Sequence, residues 1–206
     1  MEKSITKMEK KRSLQSFADM LVVLTIIWAC VTYFSIRPHG VTAVDPYGYV
    51  QMAVDLVEHG TATHKHDFSV TAAQWGFALY PTVPVAYTVP NPLTGISGTP
   101  WAPGHSILLA IGYWFFGEVG LYIITPIIGL LSLVVMRQLS VTSLSSYTQE
   151  KRLMVAGIAV FVLATSYEQI DRMAVAMADT SSQFFSMLTI YFAWRYAHST
   201  RSRGVD

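Results

Sequence analysis

The chain has one cysteine in 206 residues, Cys30, which excludes an intramolecular disulfide and any metal site built on several thiolates. Because Cys30 lies inside an apolar run, it reads as a small packing residue. Charge is also scarce, at 13% of the residues against 52% hydrophobic, with a mean hydropathy of +0.39. Such a balance falls outside soluble-domain averages and describes an integral membrane protein. The net charge of +1 carries no basic stripe, which argues against nucleic acid as a partner. Internal repeats, low-complexity tracts, a Gly-rich phosphate loop, a GxSxG elbow and a zincin motif are all lacking. A nucleotide-binding enzyme or a soluble-type hydrolase therefore has no support.

What the sequence does have is apolar runs. Met20–Ile36, Val119–Met136, Leu153–Tyr167 and Thr180–Ala197 approach the ~20 residues that a spanning helix needs. The first follows Lys3, Lys7, Lys10, Lys11 and Arg12. Val41-Thr42-Ala43 resembles a cleavage site, but the apolar stretch exceeds the ~7–15 residues of a signal core, so a retained signal anchor is expected.

A fifth run, Ile107–Phe116, is shorter, and charge decides how to thread it, since short cytoplasmic segments carry the excess of Lys and Arg. If it does not cross, 11 of the 14 Lys and Arg residues are cytoplasmic; if it does, 6 are. The expected fold is thus all-α with four transmembrane helices (20–36, 119–139, 153–167 and 180–197) in the plasma or inner membrane. The basic segment 1–19, the loop 140–152 and the tail 198–206 are then cytoplasmic. Residues 37–118 and 168–179 are extracytoplasmic.

In the first outer segment, Asp45-Pro46 predicts a helix start, with Asp45 as N-cap and Gly60 as stop. A helix over 46–59 would place Tyr49, Met52, Ala53, Leu56 and Val57 on one apolar face. Gln51, Asp55, Glu58 and His59 would form a solvated face, the helix lying on the membrane surface. Six of the nine prolines fall between 81 and 103, and Thr61–Pro103 is expected to be a long loop without helix. A second juxtamembrane helix over 105–116 ends in Tyr113-Trp114-Phe115-Phe116 and is expected to dip into the outer leaflet without crossing.

Among the acidic residues assigned to the outer face, Asp45 heads a helix directly after a membrane exit, and Asp179 opens the last span, where the helix dipole favours a carboxylate. Either could be a plain cap. Asp171-Arg172 could be an ion pair, or Arg172 could hold a phosphate. His64-Lys65-His66-Asp67 has the composition of a metal site but not the one-face i, i+4 geometry of a helical zinc motif, so no metal is expected there.

The order of these features resembles the N-terminal part of the GT-C class of polytopic glycosyltransferases, which includes protein O-mannosyltransferases and bacterial aminoarabinose transferases. Asp45, Tyr49, Ala53, Leu56 and Gly60 stand in the order of that class's outer-loop pattern. Ala102-Pro103-Gly104-His105 through Phe115-Phe116-Gly117 is similar to its Pro-Gly element and short apolar helix. Ala178-Asp179-Thr180 is similar to its second acidic loop. The resemblance covers most of residues 17–197 and implies transfer of a sugar from a polyprenyl-phosphate donor at the outer membrane face.

The resemblance further implies that Asp45 is the base for the acceptor, and that Asp179, or else Asp171, positions a substrate or holds a divalent cation. It implies that Arg172 meets the phosphate, and that Tyr49 and His105 line the substrate site. Members of the class are much longer, with further spans and often a soluble C-terminal domain. The expectation is therefore either a fragment or split module of such an enzyme, or a non-catalytic accessory subunit that packs against other membrane subunits.

Overall fold

A computed structural model describes the backbone of residues 2–203 and the side chains of residues 11–198. Lys3, Lys7, Lys10, Arg201 and Arg203, which enter the charge count, lie outside the described side chains. The described chain is mostly helical, with eight α-helices and one two-stranded ribbon. In chain order these are α1 (Glu2–Ile36), α2 (Val44–Glu58), β1 (Thr63–Lys65), α3 (Asp67–Gln74), β2 (Ile96–Gly98), α4 (Gly104–Phe116), α5 (Glu118–Ser143), α6 (Gln149–Thr165), α7 (Tyr167–Met173) and α8 (Ala178–Arg203). They divide into two compact units. The first comprises 1–36, 126–171 and 179–206, and the second 37–125 and 172–178.

In the first unit, α1 packs on α6. Ala18, Val22, Thr25, Ala29 and Tyr33 are buried on α1, at the three- and four-residue spacing of a single helix face. Ala156, Gly157, Val160 and Ala164 are the buried residues of α6. A Cβ on Gly157 would stand 3.3 Å from the Ala18 carbonyl oxygen, so small residues let the two helices approach closely. The buried Tyr33 hydroxyl donates to the Ala164 carbonyl at 3.0 Å, and Arg137 pairs with Asp19 at 3.0 Å. Val23, Leu24, Ile27 and Val31 are exposed, which suits a helix whose outer side meets lipid. Cys30 is exposed as well, so it is not the packing residue expected from the sequence.

Among the described residues, two helices are long and apolar enough to cross a membrane, Lys11–Ile36 and Glu118–Ser143, and there are three candidates if α6 and α7, bent by 53° at their junction, count as one span. The expected fourth span is not among these candidates. α8 is long, but its first turns hold Thr180, Ser181, Ser182, Gln183 and Ser186, which lower its hydropathy.

The second unit is built on α2 against α4. Val50, Ala53, Leu109, Ala110, Leu121 and Ala176 form its buried cluster, with Tyr49, Leu56 and Tyr113 packed around it. Between α4 and α5 the chain turns at Gly117, whose φ of 60° lies in the left-handed region. Beyond that turn the two helices touch backbone to backbone. A Cβ on Gly112 would come within 2.5 Å of the Gly120 carbonyl oxygen, and one on Gly120 would overlap Gly112 in turn.

Residues 61–103 are more structured than a loop. β1 and β2 pair antiparallel with Thr63 opposite Gly98, His64 opposite Ser97 and Lys65 opposite Ile96. The His66 amide extends the ladder to the Gly95 carbonyl at 2.9 Å. Asn91 shapes the turn before β2 by accepting from the Leu93 and Thr94 amides at 2.8 and 3.3 Å, an Asx-type arrangement. α3 adds a helix where none was expected.

Candidate functional site

α2 starts one residue before Asp45. Ala43 is the N-cap in extended backbone, without a side-chain capping bond, and its carbonyl takes the first helical bond from the Tyr47 amide at 3.1 Å. Asp45 therefore lies inside the first turn and is not the cap. Its half-exposed carboxylate sits where the positive end of the helix dipole favours an anion. At the other end, Gly60 adopts a φ of 67°, and the His59 and Thr61 amides both return to the Asp55 carbonyl at 2.9 and 3.4 Å.

The expected apolar face is present in Met52 and Ala53, both buried. Asp55 departs from the expectation. Its side chain is not solvated but buried, at 1% exposure. Both carboxylate oxygens lie 3.0 Å from Nδ1 of His64, and the Gln51 amide donates to Oδ1 at 3.3 Å. A carboxylate only accepts, so Nδ1 of His64 carries the proton. His64 reaches Asp55 because β1 leaves α2 through the tight Gly60 turn and comes back beside it.

Around this pair stand His66 and Tyr87. The His64 and His66 ring centroids are 4.8 Å apart, and Tyr87 lies 5.9 Å from the first and 5.0 Å from the second. Tyr47 meets Tyr87 edge-on at 6.2 Å. Burial, reinforced by His64, holds the His66 imidazole below the usual histidine range. Burial, and next the Asp55 carboxylate, push the phenols of Tyr47 and Tyr87 up. At the exposed edge, Lys65 bonds Asp67 at 2.8 Å and lowers that carboxyl.

Tyr49 and His105, expected to line a substrate site, are together. Their rings meet edge-on at 5.4 Å, with Trp101 6.3 Å from Tyr49, and His105 is buried at the start of α4. Asp45 lies one helical turn before Tyr49 on α2. Arg172 belongs to this second unit and donates to the Met177 sulfur at 3.8 Å. Asp171 and Asp179 are exposed and belong to the first unit, with Asp179 in the first turn of α8. Glu58, at the end of α2, accepts from the Tyr113 hydroxyl at 2.6 Å.

Asp55, His64, His66, Tyr87 and Ser97 were not recognised from the sequence as one cluster. The available signal was His-x-His, two residues that share a side of a strand, but not of a helix. Compared with known protein families, curated proteins and solved structures, the chain matches none.

Proposed function

We propose that the chain is a GT-C-like, membrane-anchored sugar-transfer module, with four spans and both termini in the cytoplasm, acting on a polyprenyl-phosphate donor at the outer face. The observation that carries this reading is the burial of Ala176 in one cluster with Val50, Ala53, Leu109 and Leu121. Two segments that the charge count assigns to the same membrane face thus pack into one unit, bringing Arg172 into the unit that holds Asp45. A groove of about 280 Å³ between α2 and α4 adds support. It is lined wholly by the apolar side chains of Leu56, Val57, Ile107, Ala110, Ile111 and Trp114, a surface suited to an isoprenoid tail.

The chemistry asks little of the protein, because polyprenyl phosphate is already a good leaving group. Asp45 takes the proton of an acceptor hydroxyl as its oxygen bonds to the sugar carbon. The bond from that carbon to the phosphate oxygen breaks, and the phosphate leaves with the electron pair. Arg172, a fixed cation, stabilises the departing charge. Tyr49 and His105, in the same unit as Asp45 and Arg172, offer a ring face and an imidazole to the acceptor.

The test is turnover of a polyprenyl-phosphate sugar by the purified full chain, with Asp45→Asn as the variant. Loss of a general base predicts a fall of about 10²–10⁴-fold with the far-UV spectrum unchanged. Full activity in Asp45→Asn removes Asp45 as base. A chain that is recovered only as a stoichiometric member of a larger membrane complex, and turns over nothing alone, is the accessory subunit instead.

A further inference from the structure

The Asp55–His64 pair lies beside polar atoms that have nothing to bond. His66 Nε2, the Tyr87 hydroxyl and the Ser97 hydroxyl are all buried without a hydrogen-bond partner, and Tyr87 and Ser97 are only 3% and 4% exposed. Ser97 stands opposite His64 in the ladder, so both side chains leave the ribbon on the same face. A buried polar group left unsatisfied gives up its bonds to water and gains none in return. Three such atoms beside His64, one of them on the His66 ring, point to a ligand that they share.

The donors identify its chemistry. Asp55 occupies Nδ1 of His64 and fixes the tautomer in which Nε2 carries the lone pair. A carboxylate behind a histidine in this way is the usual support of a metal-bound imidazole. His66, two residues on, presents a second ring with its centroid 4.8 Å away. With metal–nitrogen bonds of about 2.0–2.1 Å, rings at that separation can share one ion.

No group of three or more His, Cys, Asp or Glu side chains is arranged to hold a metal among the described residues. A hydroxyl beside the two imidazoles is that of Tyr87, buried and without a partner, whose ring centroid lies 5.9 and 5.0 Å from theirs; it would bind an ion as the phenolate, its proton passing to solvent.

We propose that His64, His66 and Tyr87 form a site for a divalent transition metal of the zinc class, with Asp55 as the positioning residue behind His64. Two imidazoles select zinc, cobalt, nickel or copper over magnesium or calcium, which prefer all-oxygen sites. Three protein donors leave a position open to water, as in zinc centres that do chemistry. The ion also ties the β1–β2 ribbon to α2 and to the segment holding Tyr87. This site is independent of the sugar-transfer reading and stands if that reading fails.

The experiment uses the full chain in detergent, untagged and stripped with chelator, titrated with Co(II) and Zn(II). The expected result is one equivalent of Co(II), with the visible absorption of a low-coordinate ion, displaced by Zn(II) and not by Mg(II). His66→Ala and the milder His66→Gln lose that equivalent with the far-UV spectrum unchanged. Asp55→Asn keeps the stoichiometry and weakens affinity roughly 10–100-fold, and Tyr87→Phe alters the Co(II) spectrum. The proposal is overturned if the wild-type chain takes up no Co(II) or Zn(II). It is equally overturned if His66→Gln binds as tightly as wild type, or if the signal is lost in His39→Gln or His59→Gln instead.

Discussion

Both carboxylate oxygens of Asp55 lie 3.0 Å from Nδ1 of His64, so a buried group on α2 is tied to the first strand of the ribbon that follows it. The two residues are joined by the tight turn at Gly60 and Thr61, and their pairing fixes where the ribbon returns. Removing one member leaves the other unpaired. Because His64 is 26% exposed, water recovers part of its hydrogen bonding, and the full 3–5 kcal/mol of a broken buried pair is not expected. Asp55→Ala should destabilise the second unit by roughly 2 kcal/mol. Hydrogen exchange of the amides in residues 61–66 checks this. Protection should fall there and in β2, while α1 and α6 keep theirs; unchanged protection would mean that the pair holds nothing.

The contact between α4 and α5 makes a sharper demand. A methyl group at Gly112 meets the Gly120 carbonyl oxygen and Ile124 Cγ1, and backbone cannot yield as a flexible side chain does. Gly112→Ala should cost about 1–3 kcal/mol by overpacking. A Cβ at Gly104 would meet nothing within 4 Å, so Gly104→Ala serves as the neutral control. Denaturant midpoints of the two variants in the same detergent decide the matter.

The bond from the Tyr113 hydroxyl to Glu58 at 2.6 Å has a pH signature. The hydrogen bond, more than burial, pushes the phenol above its ordinary value of 10.0. The neutral phenol is the form that the fold favours, so this tether is fully present below the unfolded pKa and is lost as pH rises through the raised folded one. Phenolate absorbance should show Tyr113 among several tyrosines that titrate later than free tyrosine, with Tyr47 and Tyr87 also pushed up, and Glu58→Gln should move one tyrosine's share of that late component down. A component that does not move belongs to another tyrosine.

What the sequence discloses about this chain depends on the range of the interaction concerned. The extents of α2 and α4 follow from neighbouring residues, namely the apolar spacing and the stops at Gly60 and Gly117. They appear within two residues of expectation. The burial of Asp55 does not follow from its neighbours, because on α2 it falls among polar residues. Only the return of His64 to that face makes burial tolerable. Strands of three residues are too short to display alternation, so the ribbon, whose partners stand more than thirty residues apart, leaves no periodic trace. The capping role expected of Asp45 goes instead to the Ala43 backbone. That two-residue shift of the cap puts Asp45 inside the first turn of the helix.

The threading of the chain can be decided by one label. α4 has 13 residues, about 20 Å of helix at 1.5 Å per residue, against a hydrocarbon core of about 30 Å. It turns at Gly117 directly into α5, and Gly112 and Gly120 hold the start of α5 against the end of α4. On the four-span reading, a helix too short to cross, folded back on one long enough to do so, enters and leaves the same leaflet, and only α5 reaches the far side. Ser140, near the end of α5, should then be cytoplasmic. Because Cys30 is exposed, the experiment starts from Cys30→Ser and adds Ser140→Cys. The new thiol should resist an impermeant maleimide applied to intact cells and react once the membrane is opened. Labelling from outside would mean that α4 crosses after all. It would also move residues 168–179 to the opposite face from 37–118 and remove the arrangement on which sugar transfer at the outer surface rests.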